Sequence, residues 1–133
     1  GVLVHGINTR PGKPTILGAC SGKAVIGLPG NPVSALVNGY LFVVPVIEKL
    51  LGLPQNSPRA SVRARLTLNL ASQAGREDWQ PVRLVRDETG WLAEPVFGKS
   101  NLIFTLAAAD GLLMIPADAT GLSAGAVVDI FLI

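Results

Sequence analysis

At 133 residues the chain can form one ordinary domain or two small ones, and its 49% hydrophobic content is enough for a packed core, which excludes a disordered polypeptide. A net charge of +2 with no concentrated basic run argues against nucleic acid as a partner. The longest apolar run, Leu41 to Ile47, is interrupted by Pro45 and is too short to span a bilayer, so no membrane partner is expected.

Aromatic residues make up only 5% of the chain, against 15 glycines and 10 prolines, so aliphatic packing and frequent turns should dominate. Gly1 opens the chain and Met114 is its only methionine, from which residues upstream of Gly1 are expected. Up to Ser57 the charged residues are Arg10, Lys13, Lys23 and Lys49 against Glu48 alone, so this first part is the one suited to anions. A single Cys20 excludes an internal disulfide and agrees with a reducing, cytoplasmic setting.

In chain order, two apolar runs, Thr15 to Ala19 and Ala24 to Leu28, flank Ser21-Gly22 and predict a hairpin. Pro29-Gly30-Asn31-Pro32 then leads into apolar residues at 33, 36, 37, 40, 41, 44, 47 and 51, the spacing of a helix of about five turns. Asn31 is placed as its N-cap, Pro32 at its first position, and Gly52 with Pro54 as its stop. Pro45 should kink this helix or mark a break in it.

A domain boundary is expected across the turn-forming residues after Gly52, dividing the chain into 1–54 and 55–133. Beyond it, alternation from Val62 to Leu70 predicts a strand, and further strands are expected over Gln80–Arg86, Trp91–Val96, Gly111–Ile115 and Val127–Leu132. Ser100 to Ala109 reads as a short helix. The residues alone therefore predict a hairpin and a long helix followed by a small, mostly-β barrel or open sandwich. Trp79 and Trp91 are expected in the core of the second part, Cys20 as a small buried residue, and His5 packed or solvated without a catalytic partner.

Two features could carry chemistry. The strand-to-helix junction Pro29-Gly30-Asn31-Pro32-Val33-Ser34 offers helix-start amides and a close backbone approach for a phosphate, or it is simply a capped turn. Arg10-Pro11-Gly12-Lys13-Pro14 holds two cations on a restricted turn, or it is a charged surface loop. Neither is a Walker loop nor a dinucleotide fingerprint. No metal-ligand spacing and no catalytic constellation is evident in this stretch.

These two segments resemble the molybdopterin molybdotransferases, the family of the MoeA proteins and the E domain of gephyrin. The likeness continues through Glu94-Pro95-Val96-Phe97-Gly98-Lys99-Ser100 and residues 109–116 to the end of the chain. It implies that residues 1–54 are the last part of the family's central α/β, molybdopterin-binding domain, and 55–133 its C-terminal barrel-like domain. It also implies a role in molybdenum cofactor biosynthesis, with molybdate inserted into adenylylated molybdopterin, release of AMP, involvement of Mg²⁺, and a homodimer as the full-length protein. By the same resemblance Arg10, Lys13, Pro29, Gly30, Asn31, Pro32, Ser34 and Ser100 contact substrate. Arg10 stands where the family commonly has Lys, which exchanges a point charge for a planar fork. The family's acidic catalytic residues lie in segments N-terminal to Gly1, so no catalytic residue is assigned here and the fragment alone is expected to be inactive. The alternative is a C-terminal protein-interaction module without its own catalysis.

Overall fold

The computed structural model describes residues 1–55, 58–97 and 103–133. The expected hairpin is present: β3 (Ile16–Cys20) pairs antiparallel with β4 (Lys23–Gly27), from Cys20↔Lys23 at the turn to Ile16↔Gly27 at the open end. Ser21 and Gly22 between them both have positive φ, +49° and +74°, the tight turn whose twist matches the flanking strands. An additional strand, β1 (Val2–His5), lies antiparallel on the other side of β3 and was not anticipated. This sheet leaves much apolar surface uncovered: Val2 is 66% and Leu3 75% exposed. Cys20, expected to be buried, is exposed at the hairpin turn.

The helix runs without interruption from Pro32 to Leu50 but changes register within it. α1 (Pro32–Asn38) passes into a π-helical turn (Gly39–Val43) and then α2 (Val44–Leu50). The widened turn comes immediately before Pro45, which has no N–H to donate to the Leu41 carbonyl four residues back. The Arg59 guanidinium makes a hydrogen bond to that carbonyl instead, at 3.3 Å. Contrary to the estimate from the run Leu41 to Ile47, the whole segment is long and apolar enough to cross a membrane by length and composition. One of its stripes, with Val33, Val37 and Leu41, is buried against the second part of the chain.

That second part is a closed barrel. β7 (Glu77–Asp87) pairs with β8 (Gly90–Pro95), β8 with β5 (Ser61–Leu66), β5 with β11 (Val127–Leu132), β11 with β9 (Gly111–Ile115), and β9 returns to β7. Closure leaves no free edge, which settles the choice between barrel and sandwich. Alternation along each strand sends Ala64, Leu66, Val82, Ala93, Leu113, Ile115 and Ile130 inward to one core. The strand expected over Val62 to Leu70 stops at Leu66. The chain bends there, leaving Leu68 50% exposed, before Leu70–Ala71 (β6) pairs with Gly121–Leu122 (β10). A short helix, α3 (Ile103–Ala107), fills part of the predicted Ser100 to Ala109 segment.

The residues of β7, β9 and β11 that face outward have a second use. Trp79 and Leu112, with Met114 and Phe131 beside them, pack against Val33, Val37 and Leu41, so helix and barrel share a core. Trp79 is the expected anchor, its ring 5.8 Å from that of Phe131. Trp91 is not one: it is 39% exposed at the end of β8, with the Arg86 guanidinium 5.4 Å from its ring.

Candidate functional site

The pair Ile16↔Gly27 closes the open end of the β3–β4 hairpin, and both segments singled out by sequence leave from that end. Arg10 to Pro14 enters β3, while Leu28 to Pro32 leaves β4 for α1. Two stretches that are separate in sequence are thereby adjacent at one edge of the fold.

The Arg10–Pro14 segment is tightly anchored. Its first residues form β2 (Thr9–Arg10), a two-residue strand parallel to β7 with Thr9 opposite Glu77 and Arg10 opposite Asp78. The Arg10 guanidinium donates to Gln73 Oε1 at 3.1 Å, a contact with the barrel portion. The Arg10–Pro11 bond is cis and Gly12 has φ +107°. Thr15, wholly buried, donates its hydroxyl to the Gly12 carbonyl at 2.9 Å, and its own amide bonds the same oxygen. From the helix side, Asn38 Nδ2 donates to the Pro11 carbonyl at 3.2 Å and to Ser34 O at 2.8 Å. Lys13 remains exposed, beside His5, Gly6 and Pro14 in a shallow cleft of ≈ 270 Å³. Among the described residues the ion pairs are Arg63–Asp129 and Arg83–Glu94, so neither Arg10 nor Lys13 is neutralised by one.

At the junction, Pro29 is half-buried while Gly30, Asn31 and Pro32 are exposed. Asn31 is in extended conformation at the N-cap position and Pro32 opens the helix, as expected, but the Asn31 side chain makes no cap hydrogen bond. The first-turn amides of Val33 and Ser34 have no acceptor within the helix, as at any helix start. Gly30 has open space where a Cβ would stand. Ser34, one of the residues expected to contact substrate, is only 3% exposed and lies beneath the surface. Ser100 lies outside the described residues.

Sequence reasoning missed Asn38 and the barrel's hold on Arg10. A signal for the former existed: Asn38 follows Ser34 by one helical turn on the stripe that buries Val33, Val37 and Leu41, an unusual place for a carboxamide. Nothing local announces β2, since its partner lies in the distant barrel.

Comparison with known proteins gives two family matches along the chain. Residues 63–133 match the family model of the MoeA C-terminal region (domain IV), and residues 1–49 match the model described as "Probable molybdopterin binding domain". Molybdopterin molybdenumtransferase 2 of Mycobacterium tuberculosis is 35% identical over 126 residues, 94% of this chain and 30% of that protein. The crystal structure of a molybdopterin biosynthesis MoeA protein from Pyrococcus horikosii superposes with a TM-score of 0.83 at 39% identity, covering 98% of this chain and 32% of that one. A molybdenum cofactor biosynthesis protein from Pyrococcus furiosus gives a TM-score of 0.84 at 30% identity, over 100% of this chain and 46% of that one. The chain spans about a third of the length of the curated relatives it matches.

Proposed function

The chain belongs to the MoeA family of molybdenum cofactor biosynthesis, and from that membership we propose that it forms one wall of a pocket where molybdate is inserted into adenylylated molybdopterin and AMP is released. The observation that carries this reading is the shared exit of the Arg10–Pro14 and Leu28–Pro32 segments from one end of the β3–β4 hairpin. It brings two cations and a helix start to the same edge.

The substrates supply negative charge: phosphates, a dithiolene and molybdate. In this reading Lys13 provides a mobile ammonium and Arg10 a planar guanidinium for phosphate oxygens. Gly30 and Asn31 let an oxyanion approach the first-turn amides of the helix. Pro29 and Pro32 fix the backbone and Ser34 supports it from below, while Ser100 is assigned to substrate binding by the family resemblance alone. These groups bind and orient; none is a general acid or base, so proton transfer falls to residues elsewhere in the whole protein. The two portions, 1–54 and 55–133, act as its central and C-terminal domains, and the whole protein assembles as a homodimer.

The Mg²⁺ that the family resemblance implies would find its ligands largely outside this chain, on substrate phosphates and carboxylates of the whole protein. The pocket edge carries cations, and among the described residues no three His, Cys, Asp or Glu side chains converge, whereas Mg²⁺ requires oxygen ligands. No step is therefore routed through a metal held here.

The test is AMP release from adenylylated molybdopterin by the natural protein that carries this chain. Lys13→Ala should lower kcat/KM by roughly tenfold or more, the worth of a charge-assisted contact, while Lys23→Ala at the hairpin turn should not change it. Equal rates for the two variants would remove Lys13 from the site.

A further inference from the structure

Asn38 is a buried side chain that this function leaves unused. It is 0% exposed, its two amide protons bind the Pro11 and Ser34 carbonyls, and its Oδ1 has no hydrogen-bond partner. The orphaned oxygen of this buried carboxamide carries a desolvation cost that a leucine of similar volume would not, set against the two hydrogen bonds that its Nδ2 donates. The arrangement also demands a partner of one kind. Residue 12 must be glycine, both for its φ of +107° and because a Cβ there would collide with the Asn38 carboxamide.

The clamp is two-sided. Asn38 holds the Pro11 carbonyl from the helix, and Thr15 holds the Gly12 carbonyl from the start of β3. Between them they fix the two successive peptide units that separate the cations, and the Ile7 amide closes the loop on the Lys13 carbonyl at 2.9 Å. Arg10 and Lys13 flank this fixed stretch.

We propose that Asn38 is a positioning residue, set against Gly12, which orients the Arg10–Lys13 segment toward an anionic ligand without touching that ligand itself. The inference rests on the anion-binding role proposed above for that segment. It explains why a costly polar group occupies the buried stripe of the helix: the stripe serves packing, and Asn38 gives up some of it for orientation.

The test separates stability from binding. In the natural protein, Asn38→Leu should leave the thermal midpoint unchanged or raised while weakening AMP binding, measured by titration calorimetry, about tenfold. Gly12→Ala should weaken it at least as much, and combining it with Asn38→Ala should give less than the sum of the two losses because the collision is gone. If Asn38→Leu does not fold, Asn38→Thr, which cannot span to Pro11, replaces it. Wild-type affinity in the Asn38 variant alongside a clear loss in Lys13→Ala would overturn the proposal while keeping the site. If AMP binds none of these proteins, the site reading fails instead, and amide exchange decides on Asn38. The Ile7 amide should exchange about tenfold faster in Asn38→Leu with the barrel unaffected, and unchanged Ile7 protection would overturn it.

Discussion

Arg59 donates a hydrogen bond to the carbonyl of Leu41 at 3.3 Å and lays its guanidinium 5.1 Å from the ring of Tyr40, so a residue beyond the helix satisfies the acceptor that Pro45 leaves without an α-helical partner. The sequence predicts a defect at Pro45, and the repair comes from outside the helix. Arg59→Leu should lower stability by about 1–2 kcal/mol in urea unfolding, through one charged hydrogen bond and one cation–π contact. In a Pro45→Ala background, where an N–H is restored, the same substitution should cost less; an equal cost in both would show that Arg59 acts independently of the proline.

Barrel closure depends on Gly111. A Cβ there would stand 2.5 Å from Ile130 Cγ2 and 2.7 Å from the Phe131 carbonyl, both on β11. Gly111→Ala should therefore destabilise the protein by about 2 kcal/mol through overpacking, seen as a lowered denaturation midpoint. Gly30→Ala, with no atom within 4 Å of the new methyl, should be close to neutral for folding. Any loss of AMP binding in that variant then reports a ligand approaching the backbone at residue 30. Unchanged binding would withdraw Gly30 from the proposed contacts.

Asp87 makes stability depend on pH in one direction. The Thr89 hydroxyl at 2.7 Å holds its carboxylate below the ordinary 3.8, helped by the amides of Thr89 and Gly90 and by the charge of Arg65. Because the folded value is depressed, the contribution is fully present above the unfolded pKa and is lost as pH falls through the folded one. The stability difference between the protein and Asp87→Asn should thus be constant near neutrality and shrink below about pH 4. Thr89→Val should reduce it, since the hydroxyl is the largest single cause and the two amides remain. A difference that grew on acidification would contradict the assignment.

The exposed β1–β3–β4 sheet and the closed barrel should differ in local stability. With Val2, Leu3, Val4 and Val25 all more than 40% exposed, little holds the sheet beyond its own hydrogen bonds. Amides of β3 and β4 should exchange at least tenfold faster than those of β7 and β9 in this 133-residue chain. Uniform protection in a monomer would show that the exposed apolar face needs no cover.

Elements whose evidence is local were legible in the sequence. Alternation and turn residues located the hairpin and the barrel strands, and Gly111–Ile115 and Val127–Leu132 fall where expected. Alternation alone overran at Leu68, because nothing in Thr67-Leu68-Asn69 signals the bend that turns it to solvent. Trp91 misled for a related reason: aromatic bulk argues for burial, but its position at a strand end decided against it. The cationic and Gly-rich segments of the candidate site stood out as composition. Their supports did not, since Asn38, Thr15 and Gln73 acquire meaning only from partners brought close by the fold.

The parallel pairing of Thr9–Arg10 with Glu77–Asp78 fixes an order of events as well as a place. The two strands lie about half the chain apart, and β7 itself gains both neighbours only when β9 has formed. Contacts of such separation form late, after the loop-closure entropy has been overcome by the surrounding core. During synthesis the segment carrying Arg10 emerges before the barrel and has to wait for it to complete its register. A nascent or truncated chain ending before β9 should lack the barrel's hold on Arg10, so this edge of the candidate site reaches its final register only with a finished C-terminal domain.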